Sequence, residues 1–105
     1  MNNSYSSVTV NQNTPTIIAS LTVPKRGGYS WKGAIVGGAV DTLIELLINT
    51  DVVCAGHITG ASPNLILNFG ASPYGLIAGQ IAMVRATHNS AGSFTFLTTL
   101  LMEQL

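Results

Sequence analysis

Thr42-Leu43-Ile44-Glu45-Leu46-Leu47-Ile48-Asn49-Thr50-Asp51-Val52-Val53-Cys54-Ala55-Gly56-His57-Ile58 is the stretch on which the fold turns. Its first half reads two ways. Thr42 and Glu45 have the spacing of a helix capping box, in which the two side chains satisfy backbone N–H groups left free in the first turn. Against a helix stand Asn49-Thr50-Asp51, residues that favour turns, and the β-branched pair Val52-Val53 that follows them. A hairpin joining Leu43–Ile48 to Val52–Ile58 accounts for both halves, whereas a helix accounts for the first alone. The hairpin is the expectation, with a helix over 42–49 as the alternative.

Moving outward, the neighbouring segments read as strands too. Thr16–Val23 is rich in β-branched residues and stops at Pro24, which has no N–H to give to a ladder. Lys25-Arg26-Gly27-Gly28 is a turn. Tyr29–Val36 alternates Tyr29, Trp31, Gly33 and Ile35 against Ser30, Lys32, Ala34 and Val36, a strand with one aromatic face, and Gly37-Gly38 breaks or bulges it. Downstream, Asn64–Phe69 is a short strand between the loops Thr59–Pro63 and Gly70–Gly75. Gln80–His88 offers two usable faces, Asn89–Gly92 turns, and Ser93–Leu101 closes the series with high β-propensity. The polar residues 1–15 read as an N-terminal arm with one short strand near Val8–Val10. Turn signals every 8–12 residues or so argue for an all-β, antiparallel β-sandwich of about eight short strands, jelly-roll-like, occupying 16–105 behind the arm.

Composition narrows the function. In 105 residues with zero net charge, 47% are hydrophobic and only 8% charged, against about 25% charged in an ordinary globular domain. Strands apolar on both faces, Leu43–Ile48 and Phe94–Leu101, pack one face inside and leave the other for a neighbour. Lys25, Arg26 and Lys32 are too few to grip a phosphate backbone, so no nucleic acid is expected. No apolar run is long enough for a membrane helix, and Met1–Tyr5 has neither the positive start nor the apolar centre of a secretory signal. The chain is expected to be made in a host cytoplasm, without membrane insertion.

Catalysis is not expected. His57 and His88 stand 31 residues apart without metal-ligand spacing, and read as loop or surface residues at strand ends; no metal or other cofactor is implied. Cys54 reads as a small buried hydrophobe, on the opposite strand face from His57. Glu45, between Ile44 and Leu46, reads as the partner of a Lys or Arg rather than as a buried acid. Four carboxylates leave few pairs for acid–base work. Trp31 reads as core, and Tyr74 as loop packing or as a stacking surface for a ligand.

Two segments carry a resemblance. Leu76-Ile77-Ala78-Gly79-Gln80-Ile81-Ala82-Met83-Val84 resembles the glycine-turn-into-strand of compact jelly rolls. Ser93-Phe94-Thr95-Phe96-Leu97-Thr98-Thr99-Leu100-Leu101 is similar to their final, oligomer-facing strand. C1q- and tumour-necrosis-factor-like domains share this layout, as do small phage head-decoration and fibre-tip domains, whose pattern Trp31–Ile58 also resembles. The likeness covers roughly residues 16–101. Lacking a secretory signal and a collagen or membrane stalk, the chain is closer to the phage members.

What the resemblance implies is a virion accessory protein, a capsid decoration or cement subunit that forms homotrimers and docks on a capsid or other virion protein. Self-association would fall to Phe94, Phe96, Leu100 and Leu101, and particle docking to Tyr5, Val8 and Val10. The alternative is a receptor- or glycan-binding fibre-tip or adhesin module for host attachment, with Tyr74 in the ligand loop.

Overall fold

The structure, a computed structural model, describes residues 2–24, 28–59, 64–69 and 73–104, with side chains from Ser6 to Glu103. Every regular element in it is a strand: β1 Asn2–Asn11, β2 Thr16–Thr22, β3 Gly28–Gly37, β4 Thr42–Ile48, β5 Asp51–Ile58, β6 Asn64–Asn68, β7 Tyr74–Ile77, β8 Ile81–His88 and β9 Ser93–Gln104. They form two antiparallel sheets, β1-β9-β3-β6 with β7 also on β3, and β2-β8-β4-β5. Both β6 and β7 pair with β3, β6 along Gly33–Gly37 and β7 along Gly28–Trp31, so together they fill one position in the sheet. The chain crosses repeatedly between the sheets, and this order is that of a jelly-roll sandwich.

The segment 42–58 is the hairpin. β4 and β5 pair from Thr42↔Ile58 to Ile48↔Asp51. Asn49 takes a φ of 57° in the turn, a left-handed conformation that asparagine tolerates better than most residues. The helical alternative fails because β4 needs both of its flanks: β5 on one side and β8 on the other, from Thr42↔His88 to Ile48↔Ala82. Its inner residues Ile44 and Leu46 are fully buried.

The core lies between the sheets. Trp31, Val36, Phe96, Leu100 and Met102 come from the five-stranded sheet, and Ile18, Ile44, Leu46, Ile58, Ala82 and Val84 from the four-stranded one. The expected alternation of β3 holds only to Trp31. There the register with β9 slips, from Trp31↔Met102 to Gly33↔Leu101, with Lys32 as the additional residue. This bulge swaps the faces, so Tyr29 and Trp31 point inward but beyond it Ala34 and Val36 do, while Ile35 is exposed. The slip thus falls at Lys32, five residues before the expected Gly37-Gly38. Glycine is required beside it: Gly33 has φ 146°, and a Cβ there would lie 1.9 Å from the Leu67 carbonyl oxygen. The Trp31 indole Nε1–H donates to the Gly33 carbonyl at 2.9 Å, so the bulge also satisfies the polar atom of the largest core side chain.

Residues 2–11 do not stand apart as an arm. All ten pair with β9, from Asn2↔Met102 to Asn11↔Ser93 without a slip, and Val10 is fully buried. The short strand expected at Val8–Val10 is the end of a longer edge strand.

Two substitutions on neighbouring residues of β9 test the assignment of its faces. Phe96→Ala is expected to cost about 3–5 kcal/mol, by loss of burial and the cavity left behind, while Leu97→Ala stays within roughly 0.5 kcal/mol; urea denaturation midpoints compare them. Gly33→Ala should cost about 2 kcal/mol or more through strain and overlap at the bulge, read in the same assay.

Candidate functional site

Period-2 alternation on β9 decides what a partner could touch. Phe94, Phe96, Thr98, Leu100 and Met102 share the inner face, and all but Phe94 are fully buried. Two of the four residues expected to drive self-association, Phe96 and Leu100, therefore point into the molecule's own sandwich; Phe94, at the end of that row, meets His88 yet stays 37% exposed, and Leu101 is half-buried on the outer face. A choice displaced by one residue moves every side chain to the other face. The outer row of β9 is Thr95, Leu97, Thr99 and Leu101.

Cross-strand neighbours extend that row into a surface. Ile35 pairs with Thr99 on one side and with Ile66 on the other, and Gly37 pairs with Leu97 and with Asn64. Ile66 is 62% exposed, Leu97 48% and Ile35 39%. An open depression of about 520 Å³ lies between Ile35, Gly37, Gly38, Asn64, Thr95, Leu97 and Thr99. It exists because Gly37 puts no side chain into the row between Leu97 and Asn64. Gly38 cannot carry one either, since a Cβ there would come within 2.3 Å of the Phe96 ring.

Among the described residues, charge is kept off this surface. Lys32 and Glu103 sit at one end as an ion pair of 2.8 Å. The Lys32 ammonium, by hydrogen bond and then by charge, lowers the pKa of Glu103 from the usual glutamate range. A carboxylate held low stabilises the fold above its unfolded pKa, and that small contribution disappears as pH falls through the lowered value. On the outer face of the other sheet, Glu45 finds the partner expected for it: Arg85 Nη2 lies 2.9 Å from its carboxylate, on the adjacent strand. The hydrogen bond to Glu45 raises the pKa of Arg85, against a smaller desolvation effect. The other described acids, Asp41 and Asp51, sit at turns.

His88 is the residue most clearly misjudged from sequence. It is fully buried rather than at the surface. Its Nε2 lies 2.7 Å from the Val10 carbonyl, so the ring carries its proton there and donates to β1. Phe94 meets the ring edge-on at 5.2 Å, and Phe96 stacks at 6.1 Å. Nδ1 is buried without a hydrogen-bond partner. A signal was present: the alternation that buries Ala82, Val84 and Ala86 carries His88 inward with them. His88 is thus a clasp between the sheets, reinforced by Asn13 N–H donating to the His88 carbonyl at 2.8 Å.

The remaining candidates are placed as follows. Val8 is half-buried and Val10 buried on the inner side of β1, so neither offers an exposed docking surface; the side chain of Tyr5 lies outside the described residues. Cys54 is half-buried against the core, and His57 is exposed. Tyr74 begins β7 and is 40% exposed. It ends a chain of edge-on rings, Trp31 to Phe69 at 5.2 Å and Phe69 to Tyr74 at 4.9 Å. The loop residues 60–63 and 70–72, and Lys25-Arg26-Gly27, lie outside the described residues. Among the described residues, no three His, Cys, Asp or Glu gather where one metal ion could bridge them, and no helix is long and apolar enough to cross a membrane.

Fold and surface together define a jelly-roll sandwich with an uncharged, partly apolar outer sheet face. Comparison with family models, with curated proteins and with solved structures finds no match for the chain.

Replacing His88 tests the clasp. His88→Ala removes the hydrogen bond to the Val10 carbonyl and opens a cavity against Phe94 and Phe96, for an expected loss of about 2–4 kcal/mol. Amide exchange along β1 should accelerate more than along β4, as measured by NMR.

Proposed function

We propose that this protein is a structural subunit that assembles with copies of itself through the outer face of its five-stranded sheet, as a virion accessory protein of the capsid-decoration or cement type. One observation carries the reading: Ile35, Ile66 and Leu97 stand exposed around an uncharged depression, with threonines between them and the nearest ion pair at the far end. Apolar area removed from water contributes about 25 cal/mol per Å², and no charged side chain needs to be desolvated to bring two such faces together. The chain's scarcity of charge fits a surface partly covered by neighbours. Jelly rolls recur in capsid proteins, which supports the virion setting, although a fold alone does not assign a function. The resemblance of the last strand to the oligomer-facing strand of trimeric jelly rolls adds the trimer and the particle as partner.

Multi-angle light scattering of the purified chain is the test. A mass near three times the 10.9 kDa of the chain is expected, falling to that of the monomer in Ile66→Glu and Leu97→Glu, whose side chains are exposed in the single subunit. A monomer at all concentrations for the unmodified chain would sink the reading. Stoichiometric binding to capsids, abolished in the same variants, would support the particle role.

The exposed ring of Tyr74 favours a second reading, a glycan-binding module for host attachment. Aromatic faces stack on apolar ligand surfaces, and lectins also use this fold. A glycan-array signal lost in Tyr74→Ala, with unchanged thermal stability, is the expected result; no signal from the unmodified chain would dismiss it.

A further inference from the structure

We infer that His88 is a proton-operated latch on the first strand, closed while its ring is neutral and opened when Nδ1 takes up a proton. The ring lies at a corner where the two sheets are tied. Its Nε2–H donates to the Val10 carbonyl of β1 at 2.7 Å, and its own carbonyl accepts from the Asn13 N–H at 2.8 Å. The Asn89 carbonyl beside it accepts from the Gln12 side chain at 3.2 Å. His88 and Asn89, at the end of β8, thus hold residues 10–13. His88 is fully buried, and its Nδ1 has no hydrogen-bond partner. A neutral ring with its hydrogen on Nε2 suits this arrangement.

A second proton turns Nδ1 into a donor and gives the ring a charge. Among the described residues, neither finds a counterpart. Phe94 and Phe96 pack on the ring; an aromatic face attracts a cation, but by less than the hydration lost on burial. The surrounding elements bring no ionised group inward. β1 has none from Ser6 to Asn11, and β9 has none before Glu103, which pairs with Lys32 at the other end of the strand. On β8 and β4, Arg85 and Glu45 bind each other on the outer face. Asp41, just before the Thr42 that pairs with His88, is exposed to solvent, and so is His57, opposite Leu43. The charged ring and the closed corner therefore exclude each other. In the opened chain the imidazole is hydrated and takes up the proton below about pH 6.5. The open state then binds more protons than the closed one, so stability rises with pH and is lost as pH falls.

The latch works within one chain and stands apart from the assembly reading. Urea denaturation of the full chain across this pH range tests it. The unfolding constant should rise by up to about tenfold per pH unit below about 6.5, in the unmodified chain and in His57→Asn alike. His88→Gln should flatten that rise, because its amide can donate to the Val10 carbonyl but does not titrate. Amide exchange locates the opening: on acidification the Val10 and Asn13 N–H groups should lose protection before those of Ile44 and Leu46. NMR of the imidazole nitrogens in the unmodified chain decides the matter even where His88→Gln does not fold. In the folded species, His88 is expected to keep its neutral Nε2–H form at about pH 6, where a hydrated imidazole is mostly charged. A doubly protonated His88 in a chain whose Val10 and Asn13 amides stay protected would overturn the latch, as would an equal pH dependence in a folded His88→Gln.

Discussion

The pairing of β9 with β1 on one side and β3 on the other is the constraint on which the rest of the structure depends. A central strand has its backbone groups satisfied on both flanks, so it can commit one side-chain row wholly to the core. β9 does this with Phe96, Thr98, Leu100 and Met102. Its opposite row, Thr95 to Leu101, then becomes surface. The buried face and the candidate assembly face are two sides of one strand, and neither can shift without the other.

The bulge at Lys32 adjusts the neighbouring strand to this arrangement. Without the additional residue, β3 would turn Trp31 and Val36 to opposite faces. With it, both enter the core and Ile35 is left outside beside Leu97. Gly33 supplies the conformation the slip requires, and its carbonyl receives the indole N–H. One backbone irregularity therefore fills the interior with the bulkiest side chain and also completes the apolar outer row.

Much of the architecture was legible in the sequence, for physical reasons that can be named. The hairpin 42–58 declared itself through Asn49-Thr50-Asp51, and the last strand through its β-propensity. β7 was hidden because Tyr74–Ile77 is short and follows Pro73; only pairing with β3 makes it a strand. Most of β1 was hidden because asparagine and serine have low β-propensity, and its strand conformation comes from β9. The faces were harder than the elements. Phe96 and Leu100 read as a sticky surface because bulk looks alike inside and out, whereas parity against Trp31 and Met102 settles their direction. His88 was masked by its place beside a polar turn, although its alternation with Ala86 and Val84 pointed inward.

Joining the first strand to the last has a consequence for how the chain reaches this state. The long sequence separation between Asn2–Asn11 and Ser93–Gln104 makes the contact order high, and folds rich in such distant pairings form slowly. Until β9 is in place, β1 has no partner in its sheet and β3 keeps one flank bare. The half-built sandwich passes through a period in which uncharged strands are open to the wrong neighbour. Crowded synthesis of many identical chains would lengthen the odds against correct closure, and growth temperature would then govern yield more than the stability of the finished fold does.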